Sequence, residues 1–300
     1  MPYDANDPRA QLAAPAGTVA GVPRAASYFE LHDVPEVELG SSGSRTWWTR
    51  SQAIVIAYTE ARPGDELTVE TDAEYVVLVL DGASIGVDHG TDAARASADS
   101  VVIIPPGRST VHVDRGGTVA RIFAAATVPD LAARCVNAGD YADADPNVAE
   151  FVAWPEPTGG FAVRVHALGD HPPEPGRLGA IFRCTTVMVN VFPEDHVARD
   201  PRTLSPHHHD DFEQVSLQVA GDYVHHMRVA WTPDSTTWRD DEHRRCASPA
   251  VVVIPPPLIH TTQSLGTMRH RLIDLFAPPR VDFSQRPGWV LNAGDYPMPA

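Results

Sequence analysis

A run of histidines in the second half of the chain carries the clearest chemistry. His207, His208 and His209 are consecutive, and Glu213 follows four residues after the last of them. Residues two apart on an extended strand point to the same side, so His207 and His209 project together while His208 points away. Even spacing keeps Glu213 on that side if the strand is continuous. A further histidine, His260, lies on a later strand that follows a proline-rich turn.

Three imidazoles and one carboxylate form a ligand set for one divalent transition metal. Such donors suit Fe(II), Mn(II), Ni(II), Zn(II) or Cu(II). A six-coordinate ion with four protein ligands keeps two positions for water, substrate or dioxygen, and a catalytic metal requires open positions. We therefore predict a metal site formed by His207, His209, Glu213 and His260. His225 and His226 lie on the next predicted strand, residues 223–231, so one of them should face this site. We predict His226 as a catalytic acid or base.

The elements that must position these residues are short β-strands. Apolar, β-branched runs separated by turn residues occur at residues 53–58, 75–80, 101–104 and 118–125, and again at 185–192, 214–219, 223–231, 250–254 and 271–276. Strands of this length with turns at this spacing predict an all-β fold of barrels or sandwiches.

The two halves of the chain repeat each other. The sequence VVIIPPG at residues 101–107 returns as VVVIPPP at 251–257, and VNAGDY at 136–141 returns as LNAGDY at 291–296. Glu74 precedes Gly82 by the same interval as Glu213 precedes Gly221. Such self-similarity predicts a duplicated barrel. Because the NAGDY segment also occurs in the half without the histidine run, we interpret it as a structural turn that closes each barrel.

Composition divides the chain into four parts. Residues 1–24 are rich in Ala, Pro and Gly and predict an N-terminal arm. Residues 25–141 form the first barrel, and residues 142–160, with acidic, Pro and Gly residues, form a linker. Residues 161–300 form the second barrel, which holds the predicted metal site.

The histidine run resembles the first motif of the cupin superfamily, and the duplication makes the chain similar to a bicupin. That motif is His-x-His, three or four residues, Glu, about six residues and Gly. His207, His209, Glu213 and Gly221 match it with one extra residue before the glycine. The resemblance implies two tandem cupin-type barrels, that is, double-stranded β-helices of the jelly-roll kind.

The proline-rich turn resembles the second cupin motif, Pro-x-Gly-x-x-His followed by Asn. Pro255 and His260 stand in the expected places, while Pro257 and Ser264 replace the glycine and the asparagine. Neither replacement removes a ligand.

The first half lacks these ligands. Thr68, Glu70 and Thr110 occupy the positions of the first repeat that correspond to His207, His209 and His260. Together these three residues do not form a binding site for a first-row transition metal. We predict that the first barrel is metal-free and structural.

The resemblance implies a mononuclear metal enzyme, and our first expectation is a non-haem Fe(II) dioxygenase acting on a small organic acid or phenolic compound. Bicupins with one degenerate half resemble gentisate-type ring-cleaving dioxygenases, although those use histidines alone and Glu213 is a departure. The alternative is a metal-dependent isomerase, epimerase or decarboxylase of a sugar or keto acid, in which a base such as His226 moves a proton. A third possibility is a non-catalytic bicupin that binds a small molecule.

Charge and cysteine content limit the partners. The chain has 23 basic and 39 acidic residues, a formal net charge of −16, which disfavours binding to nucleic acid or to an anionic membrane. Three widely spaced cysteines predict reduced thiols in a cytoplasmic protein. We expect a small-molecule substrate and a homodimer formed through strand edges.

Overall fold

A computed structural model describes residues 21–299, and everything said below about structure concerns those residues. The fold consists of antiparallel β-sheets with two short α-helices, so the predicted all-β class is confirmed. The predicted N-terminal arm lies almost wholly outside the described residues. The predicted linker, residues 142–160, contains neither strand nor helix.

The first half forms one barrel of two facing sheets. Its strands are β2 (Glu38–Leu39), β3 (Arg45–Arg50), β4 (Ile54–Ala61), β5 (Glu66–Thr71), β6 (Tyr75–Leu80), β7 (Ser84–His89), β8 (Asp92–Ser97), β9 (Ser100–Ile104), β10 (Gly107–Arg115) and β11 (Gly117–Ala124). The larger sheet has the order β9-β6-β11-β4-β3-β2 and the smaller β5-β10-β7-β8. Helix α1 (Pro129–Arg134) follows the last strand.

The second half repeats this plan with fewer strands. Its strands are β13 (Ala180–Arg183), β14 (Met188–Val191), β15 (Gln214–Ala220), β16 (Asp222–Arg228), β17 (Glu242–Ala247), β18 (Ala250–Ile254), β19 (Ile259–Ser264) and β20 (Arg271–Phe276), and helix α2 (Val281–Ser284) follows. The larger sheet has the order β18-β15-β20-β14-β13, and the smaller is β17-β16-β19.

The halves exchange one strand each. Strand β1 (Ser27–Glu30) pairs with β18 of the second half, and β12 (Arg164–Ala167) pairs with β9 of the first half. The sequence-based boundary at residue 25 therefore does not coincide with sheet membership, because β1 completes the sheet of the other barrel.

The two larger sheets face each other across one shared core. Alternate residues of their strands meet there, among them Val76, Leu78, Leu80 and Ile122 from the first half and Val215, Leu217, Val251 and Ile273 from the second, all essentially inaccessible to solvent. The side chains between them on the same strands point into each barrel.

The interiors of the two barrels differ in polarity. The first is filled with apolar side chains that include Val77, Val79, Val102, Ile104 and Phe123. At the corresponding inward positions, the second has buried polar residues that include Asn190, Gln214, Ser216, Gln218 and Asp274. The interior of the first barrel is therefore mainly apolar, and that of the second contains a group of polar side chains.

Candidate metal centre

Three of the predicted ligands come together in the second barrel. Nitrogen atoms of His207, His209 and His260 all lie within 4.8 Å of one another. The backbones of His207 and His260 form an antiparallel bridge, with N···O distances of 2.9 and 2.7 Å. The first cupin-like motif is thereby fastened to the second. The ring of His209 packs against Phe212, with centroids 4.1 Å apart.

Backbone carbonyls orient two of the rings. Nδ1 of His207 lies 3.0 Å from the carbonyl oxygen of Ser205, and Nδ1 of His260 lies 2.9 Å from that of Leu258. A protonated Nδ1 donates to such a carbonyl and leaves Nε2 with its lone pair. This arrangement fixes the tautomer that a metal requires. Two Nε2 donors of this kind, together with the ring of His209, suit a divalent transition metal.

Glu213 is not part of this cluster, which corrects the sequence-based ligand set. Its buried carboxylate accepts hydrogen bonds from the backbone N–H groups of Gln52 and Ala53 in the first half, at 3.2 and 2.9 Å. Burial raises the pKa of this carboxyl, and the two N–H donors oppose that rise. Glu213 therefore links the barrels. Strand β15 begins only at Gln214, so the even spacing assumed from His209 does not apply.

Gln214 occupies the place expected for the glutamate. Its Oε1 lies 3.1 Å from Nε2 of His209 and 3.4 Å from Nε2 of His260. The sequence contained the signal for this residue, because six residues separate Gln214 from Gly221, whereas seven separate Glu213 from it. Gln214 has an amide where the cupin motif has a carboxylate. Because a charged ligand was expected, the sequence-based ligand set contains the neighbouring Glu213 instead.

A cavity of about 360 Å³ opens beside the cluster. His207, His260 and Gln214 lie on its wall, together with Arg199, Tyr223, Thr262, His270 and Asp274. Two buried amide oxygens on the inward faces of the barrel strands, Asn190 Oδ1 and Gln218 Oε1, have no hydrogen-bond partner among residues 21–299. Acceptors of this kind are expected where a barrel interior contains water or a polar ligand.

The comparisons with known proteins agree with this architecture. No family model and no curated protein matches the chain. Among solved structures, an oxalate decarboxylase from Lactobacillus farciminis in complex with formate is 15% identical, with a TM-score of 0.55 and 88% of each chain covered. The oxalate decarboxylase of Bacillus subtilis at pH 4.6 is 13% identical, with a TM-score of 0.53 over 87% of this chain and 77% of that one. A second structure of the Bacillus subtilis enzyme, described for its Mn(II) centres, is 14% identical, with a TM-score of 0.52 over 87% and 78%.

These neighbours are bicupins, and their likeness extends over both repeats. The chain has the bicupin fold. At these identities the likeness concerns the fold, and the donor set of this chain follows from its own residues.

His226 is not brought to the metal centre. On β16, the side chains of Tyr223, His225 and Met227 are buried, and His226 lies on the opposite face. There its Nδ1 lies 2.8 Å from Nδ1 of His243 on β17. His225 is the histidine of this pair that faces inward, with Nδ1 3.1 Å from Thr262 Oγ1. Burial lowers the pKa of His225 to about 3, so its ring is neutral.

The first barrel of the bicupin has no comparable cluster. Within residues 21–299, the three histidines of the second barrel are the group of His, Cys, Asp and Glu residues with metal-binding spacing. Thr68 and Thr110, counted as counterparts of His207 and His260, bond to each other at 3.0 Å on the outer face of the paired strands β5 and β10. Among the same residues, no helix is long and apolar enough to cross a membrane.

Proposed function

We propose that this bicupin is a metal-dependent enzyme that decarboxylates a small organic acid. The observation that carries the proposal is the cluster of three histidines, two of which, His207 and His260, lie on the wall of a cavity that also contains Arg199. The oxalate decarboxylases with the same fold support a lyase, and the Mn(II) centres named for one of them support manganese as the metal. Fe(II) is the alternative metal.

The histidines would hold the metal through Nε2, since Nδ1 of His207 and of His260 is engaged by a carbonyl. A bound divalent ion supplies a Lewis acid that withdraws electrons from a coordinated carboxylate or carbonyl oxygen. His209 is supported by Phe212, so all three rings are held before the metal arrives. Such preorganisation keeps the donor geometry fixed during turnover.

Arg199 is the residue suited to bind the substrate carboxylate. Its Nη1 donates to the carbonyl of Thr262 at 2.9 Å, and its Nη2 donates to Ser205 Oγ at 2.7 Å. These bonds hold the planar guanidinium at the cavity wall. A guanidinium is the side chain best matched to a carboxylate, and its charge offsets the acidic character of the whole chain locally.

Decarboxylation breaks the bond between the carboxylate carbon and its neighbour. Carbon dioxide leaves, the electron pair stays on the remaining carbon, and a proton must be delivered there. The cavity wall contains ionisable groups, His270 and Asp274, and is open to water. No external oxidant is consumed in this balance.

A dioxygenase of a small organic acid or phenolic compound is the second candidate. The specific observation in its favour is the absence of Glu213 from the cluster, because the predicted glutamate ligand was the feature that separated this chain from ring-cleaving bicupins that use histidines alone. An amide and three imidazoles leave open positions for a substrate and dioxygen together.

One assay distinguishes the two candidates. Untagged protein loaded with Mn(II) or, anaerobically, with Fe(II) is given a panel of dicarboxylic, keto and phenolic acids while carbon dioxide release and oxygen uptake are recorded. Release of carbon dioxide without stoichiometric oxygen uptake supports the decarboxylase, and coupled oxygen uptake supports the dioxygenase. The Arg199→Lys variant should raise KM for the carboxylate substrate by about tenfold or more while keeping its metal. If no acid in the panel causes carbon dioxide release or oxygen uptake, both candidates are overturned.

A further inference from the structure

We propose that Gln214 is the fourth protein ligand of the metal and that its lack of charge makes the centre selective for dianionic ligands such as dicarboxylates. The proposal rests on the metal site proposed above. The sequence-based ligand set has the carboxylate of Glu213, whereas the proposed set has the neutral amide of Gln214.

The position of Gln214 fits coordination. Its side chain is buried at the first residue of β15, and Oε1 lies 3.1 and 3.4 Å from the Nε2 atoms of His209 and His260. Ligands at right angles on an ion with bonds of about 2.1 Å are about 3 Å apart. One ion can therefore contact Oε1 and both nitrogens with little movement of the side chains.

The hydrogen bonds of Gln214 determine which end of the amide faces the histidines. Its Nε2 lies 3.1 Å from Ser216 Oγ, and the Ser216 hydroxyl lies 2.7 Å from Asp274 Oδ1. The serine has a single proton and gives it to the carboxylate, so its oxygen must accept from the amide N–H. The amide nitrogen then points to Ser216, and Oε1 points to the metal site.

This network has a consequence for charge. Three neutral imidazoles and a neutral amide leave the full double positive charge on a divalent ion, whereas a glutamate at residue 214 would cancel half of it. Arg199 adds another positive charge on the same cavity wall, and the two carboxylates there, Asp195 and Asp274, are engaged by His270 and Ser216. A ligand with two negative charges matches both centres, and a neutral or singly charged ligand leaves one of them uncompensated.

Substitutions at two adjacent residues test the proposal. Gln214→Glu and Gln214→Ala are compared with Glu213→Gln, which changes a neighbouring side chain that faces the first barrel. The readouts are the dissociation constant for Co(II), measured by competition with a chelator, the Co(II) absorption spectrum, and the affinity of the Co(II) form for oxalate as a dicarboxylate probe. Circular dichroism establishes that each variant is folded at the temperature used.

We expect Gln214→Glu to bind Co(II) about tenfold more tightly and oxalate about tenfold more weakly. Gln214→Ala should bind Co(II) about tenfold more weakly and should change the absorption spectrum. Glu213→Gln should leave the metal affinity and the spectrum unchanged. If both Gln214 variants keep the wild-type Co(II) affinity and spectrum, the proposal is overturned. If the wild-type protein binds no metal, it is instead the proposed function that fails.

Discussion

At the scale of single residues, adjacent side chains at the start of β15 have opposite roles. Glu213 bonds to the backbone of Gln52 and Ala53 in the first barrel, and Gln214 faces the histidines. The sequence predicted the three histidines because their spacing is typical of a metal site. Side-chain parity could not decide between residues 213 and 214, because the strand begins between them and parity is defined only within a strand. The spacing to Gly221 does favour Gln214.

The repeat gives Glu213 a counterpart in Glu74. The Glu74 carboxylate accepts from the N–H of Thr185 in the second half at 2.9 Å and from the hydroxyl of Tyr296 at 2.8 Å. The two glutamates thus cross between the barrels in opposite directions. Asn137 and Asn292 form matching pairs of bonds to the backbones of Arg50 and Arg183, which supports the structural interpretation of the NAGDY segments.

Glu74 should make stability depend on pH. Burial raises its pKa above the ordinary value of 4.5, so the folded protein keeps a proton that the unfolded chain releases. The free energy of unfolding should therefore fall as pH rises from 4.5 through the raised pKa. In Glu74→Gln this contribution should vanish. Urea unfolding at a series of pH values measures it.

The Glu74→Gln variant should also lose about 1–3 kcal/mol of stability below that range, because the two donors approach different oxygens and an amide nitrogen cannot accept in place of one of them. Glu70→Gln, on the exposed face of β5, is the matched control and should keep the wild-type pH profile. Identical profiles for the Glu74 variant and the wild type would contradict the account.

At the scale of elements, the exchange of β1 and β12 is the feature that the sequence did not reveal. The notion of two separate barrels followed from the repeat, and the existence of most strands followed from their apolar runs. Which sheet an edge strand joins depends on long-range pairing, and β1 consists of four half-buried residues without a distinctive pattern. Local sequence therefore placed it in the nearer barrel.

Strand β1 should stabilise β18 of the other half. Leu31 N–H donates to Pro249 O at 2.9 Å. Hydrogen-bonded pairs occur at every second residue of an antiparallel ladder, so the N–H of Phe29 should donate to the carbonyl of its partner Val251. Phe29→Pro should remove that bond and reduce stability by about 3 kcal/mol. In Phe29→Pro, hydrogen exchange should accelerate at the amides of β18. The control is Phe29→Ala, which removes the side chain but keeps the backbone hydrogen bond. Unchanged protection in β18 would rule out the exchange.

At the scale of the whole molecule, the two barrels should unfold together. They share one apolar core, exchange strands and are joined by the two crossing glutamates. Leu78→Ala, in the shared core on the metal-free side, should therefore cost about 2–5 kcal/mol and lower the temperature at which metal is released. Calorimetry of the metal-loaded protein should show one transition. Two separated transitions, with metal release unaffected by the variant, would contradict this account.

The two barrels of the duplication differ in their interiors, and only the second contains the three-histidine cluster among the described residues. The first barrel has counterparts of these strands but fills its interior mainly with apolar side chains, and it would contribute by supporting the site through the shared core. The sequence predicted a single site because Thr68, Glu70 and Thr110 stand where the second half has its three histidines. The predicted homodimer and cytoplasmic location stay predictions.

Metal content is the measurement that tests the central claim most directly. Untagged protein, His209→Ala and His208→Ala are analysed by mass spectrometry for transition metals after purification without chelators. His208 bonds to Asp210, at 3.2 Å, and is the control. We expect about one equivalent of a divalent transition metal per chain in the wild type and in His208→Ala, and its loss in a folded His209→Ala. Metal at less than about a tenth of an equivalent in the wild type, or metal retained by His209→Ala, would contradict the site.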